Sequence, residues 1–245
     1  MELIFCAGDN QRFLQIAQTE GWLLGVQSHR QSYDYSIHFV DLDYMNPHLQ
    51  FETHLRRVAA EQPKLAIVPD MNDKLFSLAD VERALLQAER LQSFCKIPLV
   101  VPKFLPQLAL IPQEIAVGYS VDTTHGSACF HWSALAGRRQ VHLLGGNPHL
   151  QMRIRFDLET RYNCRVISAD CNMIQREAIR HAKYWQASKW KRLPYRTPKD
   201  QYYDYFRLSC RNVAASWQVF EQELSNLALA FNSLEEAGIE NYEFA

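Results

Sequence analysis

Aspartates follow several of the short apolar runs of this 245-residue sequence. The run IHFV leads to Asp41 and Asp43, KLAIVP leads to Asp70, and VISA leads to Asp170. Burying a carboxylate is costly unless a partner or a substrate compensates its charge. A carboxylate that is kept in such a place can act as a nucleophile or as a general acid or base. Aspartates at strand ends can also cap helices or form turns, so residue type alone leaves both interpretations open.

Eight apolar runs recur along the chain, and helical patterns lie between several of them. Continuous apolar runs are typical of parallel strands that are buried on both faces. The pattern predicts an α/β fold, a TIM-like (β/α)8 barrel with reacting groups at the carboxyl ends of the strands. Short connections after strands one and six predict an irregular barrel, and an open doubly wound sheet is the alternative. The runs are LIFCA (3–7), WLLGVQ (22–27), SIHFV (36–40), KLAIVP (64–69), IPLVVP (97–102), EIAVGY (114–119), QVHLLG (140–145) and CRVISA (164–169).

Glycines stand at the ends of the sixth and seventh strands. Strand six ends in Gly118–Tyr119, and strand seven ends in Gly145–Gly146 followed by Asn147. Glycine lets a flat ligand approach main-chain N–H and C=O groups closely, although the pair could equally form a tight turn before a helix. If the barrel forms, these turns and the aspartates converge on one cavity.

The chain changes character after residue 172. Between residues 176 and 211 there are ten Lys and Arg against three acidic residues, and aromatic residues are interleaved with them. Cations neutralise phosphates, and exposed aromatic rings stack on unpaired bases. We expect a barrel over 1–175 and a helical, basic and aromatic extension over 176–245 that packs on it, with Trp185 and Phe206 buried. The predicted DNA contacts are Arg176, Arg180, Lys183, Lys189, Trp190, Lys191 and Arg192.

Composition excludes several classes. The net charge of −1 gives no global field for nucleic acid or membranes, and no run approaches the ~20 apolar residues of a membrane span. Six cysteines without CxxC pairing and an N-terminus without signal-peptide features predict a reducing cytoplasm. Neither GxGxxG nor a P-loop is present, so no cofactor is expected. Without HxH or HExxH spacing no metal site is expected, and His142 is interpreted as a structural histidine.

The strand-end segments, in their order, resemble those of the tRNA-guanine transglycosylase superfamily. They look closest to the DNA-guanine transglycosylases of 7-deazaguanine DNA modification, some of them phage-encoded. The resemblance covers residues 36–175 and departs from the RNA enzymes in two ways: no CxCxxC…H zinc site follows the barrel, and Pro102–Lys103–Phe104 replaces a glutamine after strand five. The segments that carry it are HFVDLDY, KLAIVPD, EIAVGYS, VHLLGGNP and VISADCN.

The resemblance implies a (β/α)8 fold and a role for each strand-end residue. Asp170 would be the nucleophile, Asp41 or Asp43 the general acid and base, and Asp70 would bind the heterocycle. The remaining substrate contacts would be Lys103, Gly118, Tyr119, Gly145, Gly146, Asn147 and Asn172.

The implied activity is the exchange of guanine in DNA for a 7-deazaguanine base such as 7-cyano-7-deazaguanine, in the host cytoplasm if the protein is phage-encoded. The implied partners are therefore DNA and the free base. Neither a membrane partner nor a cofactor is expected. Three alternatives stay open: a tRNA-guanine transglycosylase or related base hydrolase, a non-catalytic DNA-binding protein of the same fold, and a metal-dependent barrel hydrolase.

Overall fold

Eight parallel strands form the central sheet of the protein. The computed structural model describes residues 1–7, 10–30, 34–42, 50–71, 77–121, 126–186, 189–193, 198 and 201–236. Neighbouring strands follow the order 5-4-3-2-1-8-7-6. The strands are β1 (Glu2–Ala7), β2 (Leu23–Gln27), β3 (Ile37–Asp41), β4 (Leu65–Ile67), β5 (Ile97–Leu99), β6 (Val117–Ser120), β7 (Val141–Leu144) and β8 (Val166–Asp170).

Helices surround this sheet and follow most of its strands. No helix in the described ranges is both long enough and apolar enough to cross a bilayer. The helices are α1 (Gln11–Thr19), α2 (Phe51–Glu61), α3 (Leu78–Gln92), α4 (Leu105–Leu110), α5 (Pro148–Arg161), α6 (Met173–Arg180) and α7 (Tyr202–Glu236).

The sheet is nearly closed into a barrel, because its two edge strands meet. Val100, just after β5, forms a parallel bridge with Val117 of β6. The Val100 amide donates to the carbonyl of Ala116 at 3.0 Å, and the Gly118 amide donates to the carbonyl of Val100 at 2.9 Å. The strand order is therefore that of a barrel and not of a doubly wound sheet, which confirms the predicted (β/α)8-like fold.

The barrel is irregular, although not entirely where the sequence indicated. We expected short connections after strands one and six. The connection after β6 carries only a short 3-10 helix (Trp132–Leu135) within its described residues. A full helix, α1, follows β1, and it is the described part of the connection after β2 that contains no helix.

Alternation along the strands separates two cores. Adjacent residues of one strand point to opposite faces, so a strand buried on both faces needs apolar residues throughout. Ile4 and Phe39 belong to the cluster inside the barrel, whereas their neighbours Phe5 and Val40 belong to the cluster under the helices. The barrel interior is therefore filled by side chains below the carboxyl ends of the strands.

Local sequence signals explain where several helices begin and end. The backbone N–H of Ser77 donates to the Asp80 carboxylate at 2.7 Å, so Asp80 caps the start of α3. The side-chain oxygen of Asn147 accepts from the His149 amide at 3.0 Å at the start of α5. Helix α2 ends at Glu61, immediately before the left-handed Gln62.

The extension after the barrel is not wholly helical. Two strands, β9 (Lys183–Gln186) and β10 (Lys189–Arg192), pair in antiparallel fashion between α6 and α7. We call these strands the cationic hairpin. In it Trp190 stands opposite Trp185, and the two rings meet edge to face with centroids 5.1 Å apart. The extension was expected to be helical, and its aromatic and basic pattern did not predict this hairpin.

Helix α7 packs against the barrel through buried and charged contacts. Trp185 and Phe206 are both fully buried, as predicted. The indole N–H of Trp22 donates to the carbonyl of Cys210 at 3.1 Å. The Arg211 guanidinium forms a bidentate pair with Glu20 of the segment after α1, at 2.9 and 3.1 Å.

Candidate active site at the carboxyl ends of the strands

Asp170 is the last residue of β8 and has a nearly buried side chain. Its Oδ1 oxygen accepts the backbone N–H of Gly145 at 2.9 Å and lies 3.2 Å from Nε2 of His142. None of the described residues places a hydrogen-bond donor on its other oxygen, Oδ2. Hydrogen bonds thus fix one oxygen of this carboxylate and leave the second one for another group.

The turn after β7 depends on glycine geometry to reach Asp170. Gly145 and Gly146 have φ angles of +62° and +86°, in the left-handed region that favours glycine. A Cβ atom on Gly146 would lie 2.6 Å from the Val121 side chain. The Gln151 amide then ties the turn to β8, because it donates to the carbonyls of Gly145 at 2.6 Å and of Asp170 at 2.8 Å.

Asp41 ends β3 and lies near the same site. The carbonyl of Asp41 accepts the amide and the hydroxyl of Ser28, at 2.9 and 2.8 Å. Burial raises the pKa of the Cys6 thiol well above its usual range, and the charges of Asp41 and Asp170 raise it further. One buried thiol on β1 is therefore within electrostatic reach of two of the predicted catalytic carboxylates. Asp43, the other predicted acid, lies outside the described residues.

Asp70 and Lys103 form a buried ion pair at the ends of β4 and β5. Lys103 Nζ lies 2.6 Å from Asp70 Oδ2, and it donates to the Ser120 hydroxyl and to the carbonyl of Gly126, each at 2.5 Å. Three acceptors match the three protons of an ammonium group. Burial raises the pKa of Asp70, and the Lys103 charge opposes that rise. Lys103 thus holds the end of β6 and the base-binding candidate Asp70 together.

Side chains from opposite walls form the floor below these residues. The Phe39 and His142 rings, from β3 and β7, have centroids 5.0 Å apart. Gly118 also faces this interior, where an added Cβ would lie 2.6 Å from Leu144 and 3.0 Å from Val101. Its amide is bonded to the carbonyl of Val100 within the barrel wall. Glycine is needed at this position for packing, and its N–H points along the sheet.

Three other predicted contacts lie at the edge of the site or outside it. The Tyr119 side chain lies on the helix side of the sheet, where its hydroxyl donates to the carbonyl of Phe130 at 3.0 Å. The Asn147 side chain caps α5. Asn172 is exposed just before α6 and makes no side-chain capping bond. Their contacts with a substrate stay predictions.

The predicted DNA-contact residues lie on α6 and on the cationic hairpin. Arg180, Lys189, Lys191 and Arg192 are exposed and have no acidic partner within the described ranges. Lys183 lies 3.5 Å from Glu177. The other two predicted DNA-contact residues are less exposed. Arg176 is half-buried, and Trp190 is half-buried against Trp185.

Two cations of the same basic segment serve a different purpose. Arg207 and Arg211 lie on α7 and both contact Glu20, whose side chain is only 8% exposed. These contacts join α7 to the end of α1. Arg207 and Arg211 therefore hold α7 to the barrel, and they are not among the predicted DNA contacts.

Sequence reasoning missed four residues that surround Asp170. His142 was interpreted as structural, and Cys6, Gln151 and Ser168 were not singled out. Ser168 and His142 are polar residues in apolar strands, and Ser168 shares the parity of Asp170 in β8. A polar residue at an interior position of a buried strand is the sequence signal that could have identified Ser168 and His142. No three His, Cys, Asp or Glu side chains of the described segments are grouped like the ligands of a metal ion.

Comparisons with known proteins give a family and no activity. A family model described as "Family of unknown function (DUF6610)" matches residues 17–218, which is most of the chain. No curated protein matches the chain. What the site does must therefore be argued from its own chemistry.

Proposed function

Because the chain belongs to the family of unknown function DUF6610, we propose a function from the site itself: the protein exchanges guanine in DNA for a 7-deazaguanine base. The observation that carries the proposal is the Asp170 carboxylate. Two N–H groups fix its Oδ1, whereas Oδ2 receives no donor from the described residues. A nucleophilic carboxylate needs this arrangement, since one oxygen must be oriented and the other must reach the reacting carbon.

The reaction proceeds by double displacement at C1′ of a deoxyguanosine. Asp170 Oδ2 attacks C1′, the C1′–N9 bond breaks with its electron pair going to guanine, and a glycosyl ester forms. Asp41, when protonated, gives its proton to the departing base. Asp41 then takes a proton from the incoming 7-deazaguanine, whose ring nitrogen attacks C1′ and releases Asp170. Two carboxylates with these roles act in the same way in retaining glycosidases.

The ion pair of Asp70 and Lys103 supports a purine-like base as substrate. Asp70 is an acceptor for the N–H edge of guanine or a 7-deazaguanine, and Lys103 holds it in place at 2.6 Å. The exposed cations of α6 and the cationic hairpin support a nucleic-acid strand as the second substrate. A target base in a duplex must leave the stack before Asp170 can reach its sugar.

The test combines base exchange with detection of the covalent intermediate. Purified protein is incubated with guanine-containing DNA and 7-cyano-7-deazaguanine, nucleosides are measured by mass spectrometry, and adducts are separated on denaturing gels. We expect exchange and adduct with the native protein and neither with Asp170→Asn. The matched control is Asp157→Asn on α5, where the carboxylate bonds Trp132, and it should keep native activity.

Each alternative predicts a different result in the same assay. A tRNA-directed enzyme would incorporate labelled guanine into tRNA and not into DNA. A non-catalytic protein would bind DNA equally well with Asp170→Asn and give no exchange. A metal-dependent hydrolase would lose its activity in the presence of a chelator. If the Asp170→Asn variant exchanged guanine in DNA at the native rate, the proposal would be contradicted directly.

A further inference from the structure

Two polar side chains lie in the barrel interior directly behind Asp170. His142 Nε2 lies 3.2 Å from Asp170 Oδ1, and His142 Nδ1 lies 2.7 Å from the Ser168 hydroxyl. Both His142 and Ser168 are 0% exposed. The surrounding interior is apolar, with Phe39 against the imidazole ring. Polar groups that are buried so deeply persist where their hydrogen bonds are satisfied.

The chemistry of the three groups fixes where the protons lie. An ionised carboxylate only accepts hydrogen bonds, so His142 must carry its proton on Nε2 to bond Asp170. Nδ1 is then an acceptor, and the Ser168 hydroxyl donates to it. With the proton on Nδ1 instead, the Nε2 lone pair would face the carboxylate oxygen. The Asp170 carboxylate therefore selects the tautomer, and the Ser168 hydroxyl, which can donate or accept, supports it by donating to Nδ1.

The same residue types form the triads of serine hydrolases, but that role does not fit here. A nucleophilic serine must contact its substrate. Ser168 is fully enclosed, and the imidazole lies between it and Asp170. Of the three groups only Asp170 is at the carboxyl end of its strand. The hydrogen bonds therefore run from the enclosed Ser168, through His142, to Asp170 at the strand end.

We infer that His142 and Ser168 are positioning residues that hold Asp170 Oδ1, so that Oδ2 faces the substrate. This inference rests on the proposed function, because it concerns Asp170 as the nucleophile. The Gly145 amide is the second donor to the same oxygen, and Gln151 holds the backbone of both residues. Rotation of this carboxylate about its Cβ–Cγ bond would break both hydrogen bonds to Oδ1. Attack on C1′ then needs no reorientation.

The kinetic test separates positioning from binding. His142→Phe keeps a ring and removes the donor, and we expect adduct formation at saturating DNA to slow by about 100-fold. His142→Gln places an amide N–H near the Nε2 position and should recover about tenfold of that loss. Ser168→Ala, the smallest change, should slow adduct formation by about tenfold. The Kd for DNA should stay within about twofold of native in all three variants.

A second measurement does not depend on activity. Nitrogen-15 NMR of labelled histidine reports which imidazole nitrogen carries the proton. The His142 signal is assigned as the one that is absent from the spectrum of His142→Gln. We expect it to be that of the Nε2–H tautomer, with a proton that exchanges slowly with water. Ser168→Ala should shift its Nδ1 resonance.

The two measurements fail differently. A proton on Nδ1 of His142, or native adduct rates in both His142→Phe and Ser168→Ala, would overturn the positioning role. If the native protein forms no adduct while His142 is the Nε2–H tautomer, the proposed function is wrong. The inference that His142 and Ser168 position the Asp170 carboxylate is then still supported. Unchanged rates with an increased Kd for DNA would also overturn the positioning role.

Discussion

Cys6 is a buried, neutral thiol within electrostatic reach of two carboxylates. Its thiol lies close enough to Asp41 and Asp170 for both to raise its pKa, and burial raises that pKa most. A thiolate at this position would repel both catalytic candidates, whereas a neutral thiol is a weak donor that either can accept. The residue type therefore suits a site that must keep two acids close together.

His54 makes the stability of the protein depend on pH. Burial lowers the pKa of the His54 imidazole to about 4, from an ordinary value of 6.5. The folded state therefore binds fewer protons than the unfolded state between these values, and the contribution of neutral His54 is lost as the pH falls through this window. From about pH 7 to about pH 5 the free energy of unfolding should fall by about 2 kcal/mol on account of His54.

Urea unfolding at the two pH values measures this loss. His54→Gln should remove most of the His54 contribution, so its stability should change less with pH than that of the native protein. The control is His149→Gln, because His149 is exposed at the start of α5. An unaltered pH dependence in His54→Gln would contradict the assignment.

Sequence and structure differ most at single residues in mid-strand. Asp170 and Asp70 could be predicted because each directly follows an apolar run. His142 lies within β7, 28 residues before Asp170, and the two approach only when β7 pairs with β8. Cys6 approaches Asp41 only across the intervening strand β2. Such contacts depend on strand order and register, which local patterns do not determine.

At the scale of elements, the glycine turn between β7 and α5 should tolerate no side chain at its second position. Gly146→Ala forces a left-handed φ on alanine and brings its Cβ to 2.6 Å from Val121. We expect a loss of about 2–4 kcal/mol in the free energy of unfolding, measured with urea. The comparison is Gly137→Ala, with a similar φ of +79° and no atom within 4 Å of the new Cβ.

The two alanine variants differ only in the space around the new methyl group. Gly137→Ala should therefore lose about 1 kcal/mol, the cost of φ alone. Equal losses in the two variants would show that the approach to Val121 does not matter. A larger loss at Gly146 would explain why two glycines stand directly before Asn147.

The cationic hairpin shows why an element can escape sequence analysis. Its strands have four residues each, and three of the four residues of β10 are Lys or Arg. Strand propensity is weak for such a segment, and helical aromatic spacing dominates the surrounding sequence. The pairing becomes favourable only because Trp185 is buried against α7, where its amide donates to Ser209 at 2.8 Å. The eight barrel strands, being continuously apolar, were predictable without such partners.

At the scale of the whole molecule, the exposed cations of the described residues include two pairs that lie far apart in the fold. Lys191 and Arg192 lie on the cationic hairpin, whereas Arg139 and Arg165 border a cavity of about 1050 Å³ at the amino-terminal end of the barrel. The proposed function assigns DNA to the first pair only. Lys191→Gln with Arg192→Gln should weaken DNA binding and lower the slope of log K against log salt by about 2.

The matched control removes the same charge from the other end. Arg139→Gln with Arg165→Gln should leave both the Kd for DNA and its salt slope unchanged, as measured by fluorescence anisotropy over a salt series. Equal effects of the two double variants would mean that net charge, and not the hairpin, determines binding.

The seam between β5 and β6 has a consequence for motion. These strands share the single bridge between Val100 and Val117, whereas every other neighbouring pair of barrel strands has at least two paired residues. Transient local opening of a native protein is easiest where pairing is sparsest. Lys103, just after β5, crosses this seam to Ser120 of β6. The barrel wall therefore opens most readily beside the ion pair of Lys103 and Asp70, and a ligand that recruits either residue changes how often it opens.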